Sequence, residues 1–201
     1  MTATHNFACL TIAGAAAPYL TITLHMPLPF TMDTTHLDSA ASELPLAHAD
    51  EGGIWTVPLV EHSSYPNVRL KRIFNLPDSR HVVVLVDARA LLACADRDPT
   101  DYVLPAPNYW QPGKLKGLRD FLEPGQSRIP EMPYVLFATR RTKGLAGLIG
   151  LSHEGIVSFR NGQHRARYMA HAGAVCFPVE VHETEAEALR KYCGWVGAGR
   201  L

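Results

Sequence analysis

The sequence predicts an α/β (α+β) domain that carries a β-rich N-terminal elaboration. Three observations support this. Residues 1–75 hold short apolar stretches that alternate with polar positions and are divided by small residues and prolines, as in half-buried strands. Residues 76–201 alternate strand-like and helix-like segments, the order of an α/β domain. With 201 residues, 47% of them apolar and 19% charged, the chain can bury a core without disulfides or a structural metal.

Each element has its own local reason. Residues 19–26 place Leu20, Ile22, Leu24 and Met26 on one face and Tyr19, Thr21, Thr23 and His25 on the other, a half-buried strand. Residues 7–12 read as its hairpin partner across a small-residue loop. Residues 31–53 are polar and broken, a loop or short helix, and residues 54–60 and 68–74 read as further strands. Residues 81–86 form a continuous β-branched run, expected of a strand buried on both faces. Asp87 is placed to cap a helix over 88–95. A proline-rich loop over 99–112 carries Tyr109 and Trp110, which either stack a base or cover the edge of the core. Residues 114–122 put Leu115, Leu118, Phe121 and Leu122 on one helical face, a core stripe. A strand over 134–138, a flexible Gly144/Gly147/Gly150 connector and a strand over 156–159 follow. A helix over 163–172 is closed by Gly173, then comes a strand over 174–181. Thr184 to Glu187 matches a capping box for a last helix ending at Gly194.

Charge is balanced overall, with 19 Lys+Arg against 19 Asp+Glu, but it is segregated. The first 68 residues hold six acids and no Lys or Arg, so the remainder carries a surplus of six positive charges. Between positions 140 and 167, Arg140, Arg141, Lys143, Arg160, Arg165 and Arg167 face only Glu154. A uniformly basic packing protein is excluded, whereas nucleotide or nucleic-acid contact on one basic face is not. The cysteines Cys9, Cys94, Cys176 and Cys193 show no metal-like spacing and read as small apolar residues of a reducing compartment. The N-terminus lacks a basic region before its apolar run, and prolines interrupt that run. No stretch is long enough to span a bilayer, so the expectation is a cytoplasmic protein with no membrane insertion.

The segment most like a site runs from Phe159 to Arg167, between a predicted strand and a predicted helix. Asn161-Gly162 supplies a tight turn, and the N–H groups that follow are the unpaired donors of a helix N-terminus. Those donors and the helix dipole favour an anion. His164 and Arg165 in the first turn add charge and hydrogen bonds to a phosphate. The alternative is an ordinary N-G turn whose arginines lie in solvent.

With its Gly162-Gln163-His164-Arg165 element opening a helix after a strand, the region 81–194 resembles the ParB/sulfiredoxin superfamily. Further landmarks are Pro112-Gly113-Lys114-Leu115, Ile129-Pro130, Phe177-Pro178-Val179 and Tyr192-Cys193-Gly194. The resemblance implies a ParB/sulfiredoxin-like domain over 76–201 beside a β-rich region over 1–75. It also implies that Lys114 and residues 161–165 bind a nucleotide. Gln163 stands where sulfiredoxins carry the catalytic cysteine, which excludes their thiolate chemistry. The expectation is also that no helix-turn-helix domain follows, as one does in ParB. The run from Phe159 to Tyr168 and from Ala172 to Glu183 is most similar to the plasmid fertility-inhibition factors of the oncogenic-suppression type. That likeness implies a plasmid-borne factor that blocks conjugative or T-DNA transfer and has ATPase and DNase activity.

On that expectation Gly162 permits close backbone approach and Arg165 and His164 stabilise developing charge on ATP with Mg²⁺. Lys114 adds a second cation, or is a solvated helix residue. Arg160 and Arg167 track a DNA backbone, or are surface charges. The activating acid is not singled out, and Glu180, Glu154 and Asp87 are the candidates. Components of a conjugative transfer system are the expected protein partners. Two other classes stay open: nucleotide-dependent binding without turnover, and a small-molecule kinase.

Overall fold

In a computed structural model, the described residues are 46–98 and 102–197, so the expected strands over 7–12 and 19–26 lie outside them. The first sheet is antiparallel in the order β1-β2-β3, with β1 His48–Ala49, β2 Trp55–Pro58 and β3 Asn67–Leu70. Val57, Val68 and Leu70 point into the core while Thr56 and Arg69 alternate outward. Part of the expected loop is thus the short strand β1. The expected strand over 68–74 stops at Leu70 because the Ile73 and Phe74 N–H groups donate to the Glu180 carboxylate and not to a neighbouring strand.

The second sheet has the order β4-β7-β5-β6, from β4 His81–Asp87, β5 Tyr134–Arg141, β6 His153–Asn161 and β7 Cys176–His182. β4 pairs antiparallel with β7 from His81↔His182 to Asp87↔Cys176, and β5 pairs antiparallel with β6. β7 meets β5 in parallel at Tyr134↔Glu180. The β-branched run of β4 is therefore an edge strand and only half buried. The strand buried on both faces is β7, whose residues Cys176 to Val181 are all buried. Membership of the sheet interior depends on pairing partners distant in sequence, which a local apolar run does not report. Beyond the end of the last helix the chain covers the β4 edge, through a bridge from Gly194 to Val86 and a bond from the Trp195 N–H to the Leu85 carbonyl.

The helices are α1 Ala88–Ala95, α2 Pro112–Leu122, the short α3 Leu145–Leu148, α4 Gln163–His171 and α5 Glu183–Cys193, with a 3₁₀ turn at Pro107–Tyr109. Asp87 caps α1 as the sequence predicts, its carboxylate accepting from the Ala90 N–H at 2.7 Å. α5 starts one residue before the predicted capping box. His182 is its cap and accepts from the Thr184 N–H, while Glu185 accepts from the Phe137 N–H at 2.7 Å and ties the helix to β5. The Gly144 to Gly150 connector contains α3, with Gly147 packed tightly on the Thr142 carbonyl. The α2 stripe is less buried than its pattern predicts: Leu122 is fully buried, Leu115 and Leu118 partly, and Phe121 is exposed. One hydrophobic core includes Val57, Val68 and Leu70 together with Val84, Val86, Phe177, Val179 and Leu189, so it crosses the boundary at 75/76.

Candidate functional site

The sheet brings two of the site positions into one row, with Tyr134 between them. Glu180 of β7 faces Tyr134 of β5, which faces Asn161 of β6. Asn161 ends β6, and Gly162 turns the chain with φ +82° into α4. A side chain at 162 would lie 2.9 Å from the Pro133 Cα and 3.0 Å from Arg165 Nη2, so both the turn and the close approach require glycine. No side chain caps α4, leaving its first N–H groups open to a ligand.

A cleft of about 330 Å³ opens at this N-terminus, lined by Asn161, Gly162, Gln163, His164 and Arg165, by Arg128 and Glu131 of the loop before β5, and by Leu118 and Phe121 of α2. The five positions that the motif predicts are thus brought together. Arg165 is buried at 8% exposure and is oriented from inside, donating to the Glu131 carbonyl and, at 2.9 Å, to Asn161 Oδ1. A guanidinium has five N–H donors, so others remain for a ligand. Gln163 donates to the Tyr102 carbonyl at 3.1 Å. His164 lies edge-on to Trp110 at 5.3 Å, and its Nε2 is buried without a hydrogen-bond partner. Burial, then Lys114 and Arg167, hold its pKa below the ordinary 6.5, so the imidazole is neutral at neutral pH and is not the cation the sequence predicts.

Several candidates take other places. Lys114 does not line the cleft; it reaches the site through Trp110, with Nζ 5.8 Å from the ring centroid. Trp110 itself is buried and donates to the Pro105 carbonyl, the core-covering alternative, whereas Tyr109 is exposed. Arg167 is not exposed as the expected DNA-backbone contact would be. It is buried and ion-paired with Asp96, which joins α4 to the end of α1. Arg160 is exposed at the end of β6, next to the cleft. Glu180 is not a catalytic acid of this cleft: it is fully buried and its carboxylate accepts from Arg72 Nε at 2.9 Å and from the Ile73 and Phe74 N–H groups. Glu154 is paired with Arg140 at 2.7 Å, and Asp87 is the α1 cap. No sequence motif marks Arg128 and Glu131, which sit in an irregular loop that only the tertiary fold carries to α4. Among the described residues no group of three or more His, Cys, Asp or Glu side chains is placed to hold a metal.

The arrangement of α4 depends on a polar chain behind it. His62 Nδ1 accepts from the Ser64 and Tyr65 N–H groups, so Nε2 carries the proton and donates to the Tyr168 hydroxyl at 2.8 Å. Tyr65, in the same loop, donates its hydroxyl to the Arg119 carbonyl at 3.0 Å. The loop between β2 and β3 is thereby locked to α4 and α2, the two helices that form the cleft.

The profile of the plasmid fertility inhibition factor family matches residues 83–194. The fold is similar to that in a crystal structure of the oncogenic suppression activity protein, a plasmid fertility inhibition factor, determined as a gold(I) cyanide derivative. The TM-score is 0.52 at 16% sequence identity, covering 79% of this chain and 80% of that one. No curated protein matches the chain. Among the described residues no helix is long and apolar enough to cross a membrane.

Proposed function

The chain belongs to the plasmid fertility inhibition factor family, and from that premise we propose that it blocks conjugative or T-DNA transfer and hydrolyses ATP and DNA at a ParB/sulfiredoxin-type phosphate site. The observation that carries the reading is the uncapped N-terminus of α4 opening on a cleft lined by Arg165, Arg128 and His164. Three kinds of positive potential converge there: helix-terminal N–H groups, a buried oriented guanidinium and a second guanidinium from the opposite wall. Phosphate oxygens would accept from the α4 N–H groups and Arg165, while Gly162 lets the backbone come close. Arg128, already above the Phe121 ring at 5.7 Å, would close over them. Neutral His164 is suited to take a proton from an attacking water, and a ligand group would give its buried Nε2 a partner. Glu131, the one carboxylate lining the cleft among the described residues, replaces Glu180 as the candidate acid. A Mg²⁺ arriving with the phosphates would be held by Glu131 and would neutralise their charge, the usual sparse protein ligation of this ion. Arg160 would contact a DNA backbone beside the cleft.

The test is a titration of the full chain with ATP–Mg²⁺, followed by tryptophan fluorescence and phosphate release, with single- and double-stranded DNA as parallel substrates. Binding should weaken about tenfold in Arg128→Ala, the loss of one charge-assisted contact. Because Arg128 is exposed, the fold should survive. Unchanged affinity would remove the phosphate assignment. A second reading, nucleotide-dependent binding without turnover, is favoured by the tip of the β5–β6 hairpin. Leu145, Leu148, Ile149 and Leu151 are all exposed there, beside Arg141 and Lys143. Nucleotide binding without phosphate release, together with loss of transfer inhibition in Leu148→Glu, would select it.

A further inference from the structure

Cys94 and Cys193 are far apart in sequence and read there as small apolar residues, yet their sulfurs lie 3.4 Å apart, with Cys193 donating to Cys94. Each sits in the last turn of its helix, α1 and α5. Arg97 Nη1 stands 3.4 Å from the Cys94 sulfur and also reaches the Gly155 carbonyl, while its side chain is 41% exposed. The pair is thus one side chain beneath solvent, with a guanidinium over one sulfur. The third described cysteine, Cys176, is buried away from any such partner and its thiol is pushed up by burial.

We propose that Cys94 and Cys193 are a redox-modification site, joined into a reversible intramolecular disulfide by hydroperoxides. Cys94 is the attacking sulfur: the Cys193 S–H bond and the Arg97 charge favour its thiolate, while the same contact and burial raise Cys193. Cys94 attacks the peroxide oxygen, the O–O bond breaks and an alkoxide or hydroxide leaves, giving a sulfenic acid. Cys193 then attacks the Cys94 sulfur, loses its proton and displaces hydroxide. Two thiols and one hydroperoxide become one disulfide, one alcohol (or a water, from hydrogen peroxide) and one water; the two electrons pass from sulfur to oxygen. The sulfurs must close from 3.4 Å to about 2 Å, within reach of side-chain rotation in two helices that already touch. The bond would close a loop spanning nearly all of the region that the family profile matches, and would fix the α5 end that covers the β4 edge.

The test treats the full chain with a small excess of hydrogen peroxide, alkylates free thiols and maps tryptic peptides. The expected product links residues 90–97 to residues 192–200, while Cys176 stays alkylatable after denaturation, and dithiothreitol reverses the link. The melting temperature should rise by roughly 10 °C on oxidation, and this rise should vanish in Cys193→Ser. In Cys193→Ser, dimedone should trap a sulfenic acid at Cys94. A different link, or irreversible oxidation of Cys94 with Cys193 still free, would overturn the proposal. So would two unmodified thiols after treatment.

Discussion

At Gly162 the backbone has φ +82° and a Cβ would fall 2.9 Å from the Pro133 Cα, so two separate penalties meet at one atom. Gly162→Ala should destabilise the fold by about 1–3 kcal/mol, read by urea denaturation, because an L residue is strained there. The Arg165 guanidinium must also move, so ATP affinity should fall further than stability alone explains. Glu180 makes the opposite case. Its carboxylate is fully buried among Arg72 Nε and two backbone N–H groups, so Glu180→Ala should cost about 3 kcal/mol by leaving those three donors without their shared acceptor. Phosphate release per folded molecule should not change, because Glu180 does not line the cleft. Activity lost in a folded Glu180→Gln would give this residue a part in the chemistry after all. Sequence reasoning could see Gly162, since an N-G pair reports its own backbone geometry. It could not see what Glu180 does, because its three donors come from residues 72–74, more than a hundred positions away.

Helices α1 and α5 both begin at the end of a strand, β4 or β7, and both are capped by the strand's last residue, Asp87 or His182. The first cap was legible because Asp followed by an apolar run is a local signal. The second was not, because histidine is a poor statistical cap and the T-E-A-E sequence two residues later imitates a better one. Asp87→Ala should cost about 1 kcal/mol of stability by calorimetry or denaturant, with nucleotide affinity unchanged since α1 does not line the cleft. Strand β7 shows the same limit of local reading. Pro178 would normally demote a segment from a sheet interior. Here β7 pairs fully only with β4 and meets β5 at Glu180, so the missing donor is tolerated. Cleft residues that follow a strand or open a helix could be read from sequence. Arg128 and Glu131 belong to a loop whose course is fixed where the Lys71 N–H donates to the Pro130 carbonyl and the Met132 N–H donates to the Lys71 carbonyl, so no local pattern marks them.

On the scale of the whole molecule, the two sheets and the cleft helices are joined through groups that must stay neutral. His62 accepts two backbone N–H bonds at Nδ1, a role that protonation abolishes, and its pKa is lowered chiefly by burial. His164 is lowered by burial and by Lys114 and Arg167. Both histidines bind fewer protons when folded than when unfolded, so the stability linked to them is complete above the unfolded value near 6.5. It is lost progressively as pH falls from there toward the lowered folded values, and the loss then levels off. Glu154 acts in a separate window: its pKa is lowered by Arg140, so its contribution disappears only on acidification below about 4.5. Thermal unfolding between pH 7.5 and 5 should therefore show a falling melting temperature that owes nothing to the carboxylate. His62→Gln should flatten that slope, because glutamine does not titrate, even if its midpoint at pH 7.5 is lower. His164→Gln should flatten it independently, and the two effects should add, since one histidine binds the back of α4 and the other its N-terminal turn. A slope unchanged in the double variant would mean that the joint between β2–β3, α4 and α2 is not held by neutral imidazoles.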